Sequence, residues 1–164
     1  MTRPFTDTET ITWMSTLEKR MSSAAIALYD ATGRVLVVKA HYKHYWSFPG
    51  GVVDAGETPR QAAVRETKEE VGVAVEADAL AFCMVIDRVS TLAQTYQFIF
   101  EQQISAASLD TVAIDNSEIE AYALVTRDDI INGDRYYSET TKKWAEGYTG
   151  YMEQQFGPHQ QGDI

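Results

Sequence analysis

The sequence predicts an α+β fold in which strands surround one well-defined helix. Short apolar segments with a period of two recur along the chain, as expected for strands. A segment over residues 59–71 instead carries complete start and stop signals for a helix. Since no repeat or low-complexity linker divides the chain, we expect a single domain over residues 1–164.

The amino-terminal part predicts a lead-in followed by a hairpin. Residues 1–20 are polar and rich in threonine, and the stretch 8–20 fits either a short helix or an irregular segment. Residues 23–29 and 35–39 are predicted as two strands, because they are mostly apolar. Asp30–Gly33 between them has the composition of a tight turn, which favours a hairpin.

The predicted helix follows a glycine turn. Pro49-Gly50-Gly51 predicts a place where the backbone can approach a ligand closely. Thr58 is suited to the N-cap position, Pro59 to the first helical position, and Gln61 completes a capping box. Gly72 is the expected stop. The sequence therefore predicts a helix over residues 59–71.

Three further strands are predicted, over residues 80–87, 94–101 and 120–125. Residues 126–130 have a helix-starting pattern. We expect residues 138–156 to form a terminal helix and residues 157–164 to be a flexible tail.

Composition excludes several classes of function. The net charge is −10 and the pI about 4.7, which disfavours binding to a nucleic-acid duplex or an anionic membrane. No apolar run approaches the length of a membrane helix, and we expect no signal peptide. Cys83 is the lone cysteine, so an internal disulfide is impossible and a reducing, cytoplasmic setting is expected.

Three glutamates of the predicted helix indicate a metal site. At about 100° per residue, Glu66, Glu69 and Glu70 lie within a narrow arc. Carboxylates this close repel one another unless they share a cation, and Mg²⁺ is the natural partner of oxygen ligands. Such a row is usually a solvated helix face. Here the glycine turn, Glu57, Arg65 and Gly72 favour the metal site instead.

The same segment resembles the Nudix box. Gly51 is followed after five residues by Glu57 and after seven more by Arg65-Glu66-Thr67-Lys68-Glu69-Glu70-Val71-Gly72-Val73. This spacing matches the pattern G-x5-E-x7-R-E-U-x-E-E-x-G-U, in which U is apolar. Thr67 departs from it, because an aliphatic residue is usual there; the change removes no ligand.

The resemblance implies a Nudix α/β/α sandwich, with a mixed sheet between helices. It also implies a hydrolase that uses Mg²⁺, or sometimes Mn²⁺, to cleave a nucleoside diphosphate linked to another group. The expected partner is a small-molecule nucleotide substrate, and a homodimer stays open.

Roles for individual residues follow from the resemblance. Glu66, Glu69 and Glu70 match the metal-binding face, with Glu70 the favoured direct ligand. Arg65 is expected to form ion pairs that hold the carboxylates in place. Gly50 or Gly51 is expected to leave room for phosphates, with a backbone carbonyl from Gly51 on the metal. The general base is either one of these carboxylates or one on a later loop.

Two further groups of candidates are weaker. Family members often place another carboxylate near Asp115, Glu118 and Glu120; we favour Glu118, and the alternative is solvated loop charge. Trp46 and Phe48 precede the glycine turn and belong either to the core or to a substrate site that stacks a base.

The only sequence evidence on the substrate is that several subfamily motifs are missing. The motifs typical of the ADP-ribose, diadenosine polyphosphate, coenzyme A and NADH types are missing, which favours a nucleoside triphosphate and a housecleaning pyrophosphatase. An ADP-ribose or nucleotide-sugar pyrophosphatase is the alternative. A domain that binds nucleotides without hydrolysis is the alternative from a different class, although no carboxylate of the box is lost.

Overall fold

The computed structural model describes residues 4–90, 93–114 and 116–155, which form a mixed seven-stranded sheet between helices. The strands are β1 (Met21–Tyr29), β2 (Val35–Ala40), β3 (Gly50–Val52), β4 (Ala81–Val89), β5 (Gln94–Gln103), β6 (Ile119–Val125) and β7 (Gly150–Gln155). The predicted α+β sandwich is confirmed. β3 was predicted only as a turn, since three residues are too few to show a strand period.

The order of strands across the sheet is β6-β2-β1-β5-β4-β7, and the short β3 pairs with β1. β1 runs parallel to β5 and β4 runs parallel to β7, whereas the other neighbours are antiparallel. Because parallel neighbours need a long crossover, the chain between β1 and β5 must return across the sheet. The predicted helix lies in this crossover.

The helices are α1 (Asp7–Ser15), α2 (Pro59–Val71), α3 (Ala106–Leu109), α4 (Arg127–Asn132) and α5 (Glu139–Ala145). α2 has the predicted bounds. The Thr58 hydroxyl accepts a hydrogen bond from the Gln61 N–H, and the Gln61 side chain accepts one from the Thr58 N–H. Gly72 ends the helix, and its N–H donates to the Lys68 carbonyl. Local sequence alone therefore determines both ends of α2.

The sheet has a buried core on each face. Ala24, Ile26 and Leu28 of β1 belong to the core beneath α2, whereas Ala25 and Ala27 belong to the opposite core. The opposite core also contains residues of α4 and α5. This alternation along β1 explains why its sequence is apolar throughout rather than at every second residue.

The predicted terminal helix over residues 138–156 is wrong in its second half. α5 ends at Ala145, and residues from Gly150 form β7 as an outer strand beside β4. Gly147 has φ +81°, a backbone conformation that ends a helix and that glycine adopts without strain. Trp144, Tyr148 and Tyr151 are spaced by four and three residues, which is helical spacing, so the pattern favoured a continued helix.

Two predictions lie outside the described residues: the flexible tail over 157–164 and the candidate carboxylate Asp115. Within the lead-in, the chain forms the helix α1, whose residues are all at least partly exposed. Among the described residues, no helix has the length and apolar character needed to cross a membrane.

Candidate active site

The glycine turn lies directly against α2. Gly50 and Gly51 pair with Ala25 and Ala24 of β1, which fixes the turn on the sheet. The Gly50 N–H donates a hydrogen bond of 2.8 Å to Glu70 Oε2. A Cβ atom on Gly51 would lie 2.6 Å from the Glu66 carboxyl carbon. A side chain at this position would displace the Glu66 carboxylate, so glycine lets the backbone and this carboxylate lie close together.

Arg65 connects the carboxylates around this turn. Its Nε and Nη2 donate to the two oxygens of Glu57 at 2.8 and 3.0 Å, a bidentate pair. Its Nη1 donates to Glu66 at 2.8 Å and to Glu69 at 3.1 Å. Nη2 also donates to the Val52 carbonyl of β3. These contacts tie the loop before α2, the helix and β3 together, as the sequence predicts for Arg65.

Burial and mutual repulsion separate the pKa values of these glutamates. Desolvation, opposed in part by the Gly50 N–H and Lys43, raises the pKa of Glu70 to about 7. Desolvation also raises the pKa of Glu66, even though Arg65 stabilises its charge. The hydrogen bonds from Arg65 lower the pKa of Glu57. Burial thus disfavours the charged form of Glu70 despite the Gly50 N–H and Lys43.

Glu118 completes a small cavity with the three glutamates of α2, here called the glutamate cavity (Glu66, Glu69, Glu70 and Glu118). The Tyr42 hydroxyl donates to Glu118 Oε1 at 3.3 Å, and burial together with Glu118 raises the pKa of Tyr42 to about 12. Glu120, the weaker candidate, instead forms an ion pair of 2.9 Å with Lys39. The structure therefore brings Glu118, and not Glu120, to the glutamates of α2.

The donor set fits a hard divalent cation. Four carboxylates line one cavity, and burial raises the pKa values of two of them, Glu66 and Glu70, which a bound cation would offset. Within the described part of the chain, no three acidic, histidine or cysteine side chains already form a coordination cluster. Arg65 donates to Glu66 and Glu69, and the Gly50 N–H donates to Glu70.

A second cavity opens beside the first, on the sheet face away from α2. This sheet cavity is lined by Tyr42, Lys43, Phe48, Gly50 and Gly51 at one part and by polar residues of β4, β5 and α5 at another. Phe48 is buried and contacts Trp144 edge-on. Trp46 does not line this cavity; it pairs with Tyr137, and the Arg135 guanidinium lies 5.1 Å from its ring.

Sequence reasoning missed the polar lining of the sheet cavity: Arg88, Gln97 and Thr140. The sequence carried a signal for Gln97, whereas the place of Arg88 depends on how β4 and β5 pair. Gln97 lies on the same face of β5 as the buried Ile99, and the strand register places Arg88 diagonally across from it. Polar residues on a buried face need hydrogen-bond partners there. No sequence pattern indicated that Thr140 lines a cavity, because its segment was predicted as part of a long helix.

The comparisons with known proteins identify the family. The family model described as the NUDIX domain matches residues 19–146. The chain belongs to the Nudix family. The resemblance seen in the box around Glu66, Glu69 and Glu70 is thereby confirmed over most of the chain.

Two curated relatives match this Nudix chain over part of their length. An RNA pyrophosphohydrolase of Aeromonas hydrophila is 44% identical over 54 residues, which cover 33% of this chain and 31% of the relative. An 8-oxo-dGTP diphosphatase of Proteus vulgaris is 34% identical over 77 residues, 44% of this chain and 64% of the relative. The chain therefore matches less than two thirds of each relative.

Solved structures share the Nudix fold. A MutT NUDIX hydrolase from Burkholderia pseudomallei superposes with a TM-score of 0.66 at 22% identity and covers 79% of this chain and 98% of its own. An Ap4A hydrolase from C. elegans gives 0.61 at 24% identity, with 77% and 96% covered. At these identities the likeness concerns the fold.

Proposed function

We propose that this Nudix protein hydrolyses the pyrophosphate linkage of a nucleoside diphosphate joined to another group, with a nucleoside triphosphate as the favoured substrate and Mg²⁺, or Mn²⁺, as the cofactor. The observation that supports it is the glutamate cavity, which four carboxylates line and in which Glu66 and Glu70 lie against the glycine turn. An acidic cavity attracts phosphates only when a cation neutralises it.

Each residue then has a role that its contacts support. Glu66, Glu69 and Glu70 would hold the metal, and Glu70 would bind it directly because a cation offsets the cost of burying its charge. Arg65 holds Glu66 and Glu69 in position. Gly50 and Gly51 leave space for phosphate oxygens beside α2 and supply the Gly51 carbonyl as a further oxygen ligand. When bound, the metal offsets charge on the phosphoryl oxygens and lowers the pKa of a bound water.

Glu118 acts as the general base in this proposal. It lies in the glutamate cavity without an ion pair to a lysine or arginine among the described contacts, and Tyr42 orients one of its oxygens. The attacking water forms a bond to phosphorus, the bond from phosphorus to the bridging oxygen breaks, and the water's proton passes to Glu118.

The decisive test is Glu70→Gln. We expect turnover of nucleoside triphosphates with Mg²⁺ to fall by at least a hundredfold, because the uncharged amide is a poor ligand for Mg²⁺. Circular dichroism should show an unchanged fold. Near-normal hydrolysis by this variant would reject the metal site as assigned.

A panel assay addresses the alternatives. Nucleoside triphosphates, ADP-ribose and nucleotide sugars are each incubated with Mg²⁺, and the released products are identified. Preferred cleavage of ADP-ribose or of nucleotide sugars would replace the triphosphate proposal. Tight binding of a nucleotide without cleavage of any member of the panel would indicate the non-catalytic alternative.

The setting and assembly also remain proposals. The lone Cys83 is a buried thiol whose pKa burial raises to about 11, which suits a reduced residue in the cytoplasm. Light scattering of the purified protein would measure its mass in solution and distinguish a monomer from a homodimer.

A further inference from the structure

Large apolar side chains are exposed along residues 5–17, here called the apolar segment (Phe5, Ile11, Trp13, Met14 and Leu17). Between 46% and 77% of the surface of each of these residues is accessible. The segment includes α1, none of whose residues is buried or belongs to either core. With about 200 Å² for a large side chain, the five residues expose on the order of 600 Å². An exposed apolar surface of this size usually marks an interaction site.

α1 also lacks the packing that a short helix needs. It spans nine residues, a length at which an isolated helix is marginal in water, because most helix stability in proteins comes from packing of an apolar face. The capping box between Thr6 and Glu9 supports only the first turn. Within the described part of the chain, therefore, α1 has a start signal but no surface on which to bury its apolar residues.

The outer part of the sheet has an exposed apolar face. α2 packs mainly against β1 and β3, so β4 and β7 extend beyond it. Phe82 and Val85 of β4 pair with Phe100 and Phe98, which belong to the core beneath α2, and Tyr151 of β7 pairs with Val85. Since paired residues lie on the same face, these side chains form one surface, here called the outer face (Phe82, Val85 and Tyr151). Phe82 and Tyr151 are 51% and 53% exposed.

The chain between α1 and β1 is attached beside the outer face. The Arg20 guanidinium donates to the Asp87 carboxylate at 3.3 Å, and Asp87 lies two residues along β4 from Val85, on the same side of the sheet. Four residues separate Arg20 from the end of α1. Even so, α1 does not cover the outer face of its own chain, because α1 buries no residue and the two aromatic residues of that face stay half exposed.

We propose that the apolar segment and the outer face form an interface with a second copy of this chain, in which α1 of each copy packs on the outer face of the other. A twofold dimer requires such a self-complementary surface, because the same patch is used on both copies. Segment and face together expose on the order of 800 Å², about what each partner contributes to a standard interface. An anionic lipid surface is a poor occupant, since the chain has a net charge of −10.

Light scattering during size-exclusion chromatography of the full chain tests the proposal. We expect the wild type, at tens of micromolar, to have twice the mass of one chain. Ile11→Glu places a charge in the apolar segment and should raise the dissociation constant of the dimer by about a hundredfold or more. Ile131→Glu is the matched control, because Ile131 is also an exposed isoleucine of a helix but lies on α4, outside the proposed interface. This variant should keep the mass of the wild type.

Phe82→Glu tests the other half of the interface without altering α1. We expect it to weaken the dimer as Ile11→Glu does, while circular dichroism shows that both variants keep the fold. A wild type that stays monomeric at every concentration overturns the proposal. So does a dimer that both variants leave intact. Neither readout requires hydrolysis, so the proposal can stand or fall independently of the proposed function.

Cross-linking between two differently tagged copies tests the exchange of α1. One copy carries Trp13→Cys and the other Phe82→Cys, and both carry Cys83→Ala to remove the native thiol. We expect mild oxidation to join the two copies by a disulfide, whereas Trp13→Cys mixed with Ile131→Cys should give none. With both Trp13→Cys and Phe82→Cys in one chain, a disulfide that forms within a monomer would show that α1 closes on its own outer face, and would overturn the proposal.

Discussion

At the scale of single residues, the carboxylates of the glutamate cavity differ in what compensates their charge. Arg65 donates to Glu57, Glu66 and Glu69, whereas Glu70 receives a hydrogen bond from the Gly50 N–H and is attracted by Lys43. Side chains of one type on one helix turn thus acquire different electrostatics from their neighbours. The catalytic proposal depends on this difference rather than on the number of glutamates.

Glu118 and Glu120 make a matched pair for testing the fourth carboxylate. Glu118 lines the glutamate cavity, whereas Glu120 pairs with Lys39 on the surface. We expect Glu118→Gln to lower kcat by about a hundredfold, as for the loss of a general base. Glu120→Gln should change kcat by less than threefold, because an exposed ion pair contributes little. Small, equal effects in the two variants would place the base elsewhere.

At the scale of elements, α2 is the part of the fold that sequence describes best. Its caps are local, so Thr58, Gln61 and Gly72 determine its ends without help from distant residues. β7 shows the opposite case, because only its pairing with β4 distinguishes it from a continued helix.

The spacing of the box predicted that the glutamates of α2 come together. It did not predict the network of Arg88 and Gln97, since that depends on how β4 and β5 pair.

Thr67 is the one position of the box that departs from the family pattern. The effect of this departure on the free energy of unfolding can be measured. The Thr67 side chain lies on the buried face of α2, and its hydroxyl has no hydrogen-bond partner among the residues that the structure describes. We expect Thr67→Val to raise the free energy of unfolding by about 1–2 kcal/mol, since an unsatisfied buried hydroxyl is removed at nearly constant volume. Urea denaturation measures the change.

Thr141→Val is the control for that experiment. Thr141 is equally buried, but its hydroxyl is hydrogen-bonded to Ser138. The same substitution should lower the free energy of unfolding by about 1 kcal/mol. Destabilisation of similar size in both variants would mean that the Thr67 hydroxyl has a partner in solution.

At the scale of the whole molecule, the site makes the stability of the metal-free protein depend on pH. The pKa of Glu70 is about 7 in the fold, against an ordinary value of 4.5. Between these values the unfolded chain loses the proton while the folded chain keeps it, so stability falls as pH rises and levels off above pH 7. The loss is on the order of 3 kcal/mol for Glu70.

Thermal unfolding in EDTA from pH 5 to pH 8 tests this dependence. The Tm of the wild type should fall by several degrees over this range, and Mg²⁺ should restore it most strongly at pH 8. In Glu70→Gln the decline should be smaller, with Glu66 accounting for the remainder, since its pKa is also raised. The pKa values of Asp30 and Asp129 are lowered, so these residues titrate at more acidic pH and do not contribute to the change in Tm between pH 5 and pH 8. Equal slopes in the two proteins would contradict the assignment to Glu70.

The hydrogen bond from the Gly50 N–H to Glu70 makes the glycine turn a spectroscopic reporter of the site. The resonance of an amide proton depends on the charge of its acceptor, so the Gly50 signal responds when Glu70 gains a proton or a cation. Its position in a nuclear magnetic resonance spectrum would therefore follow the occupancy of the site directly. Gly50 lets the turn approach α2. Its backbone N–H thus also reports the ionisation state of Glu70, the residue that it contacts.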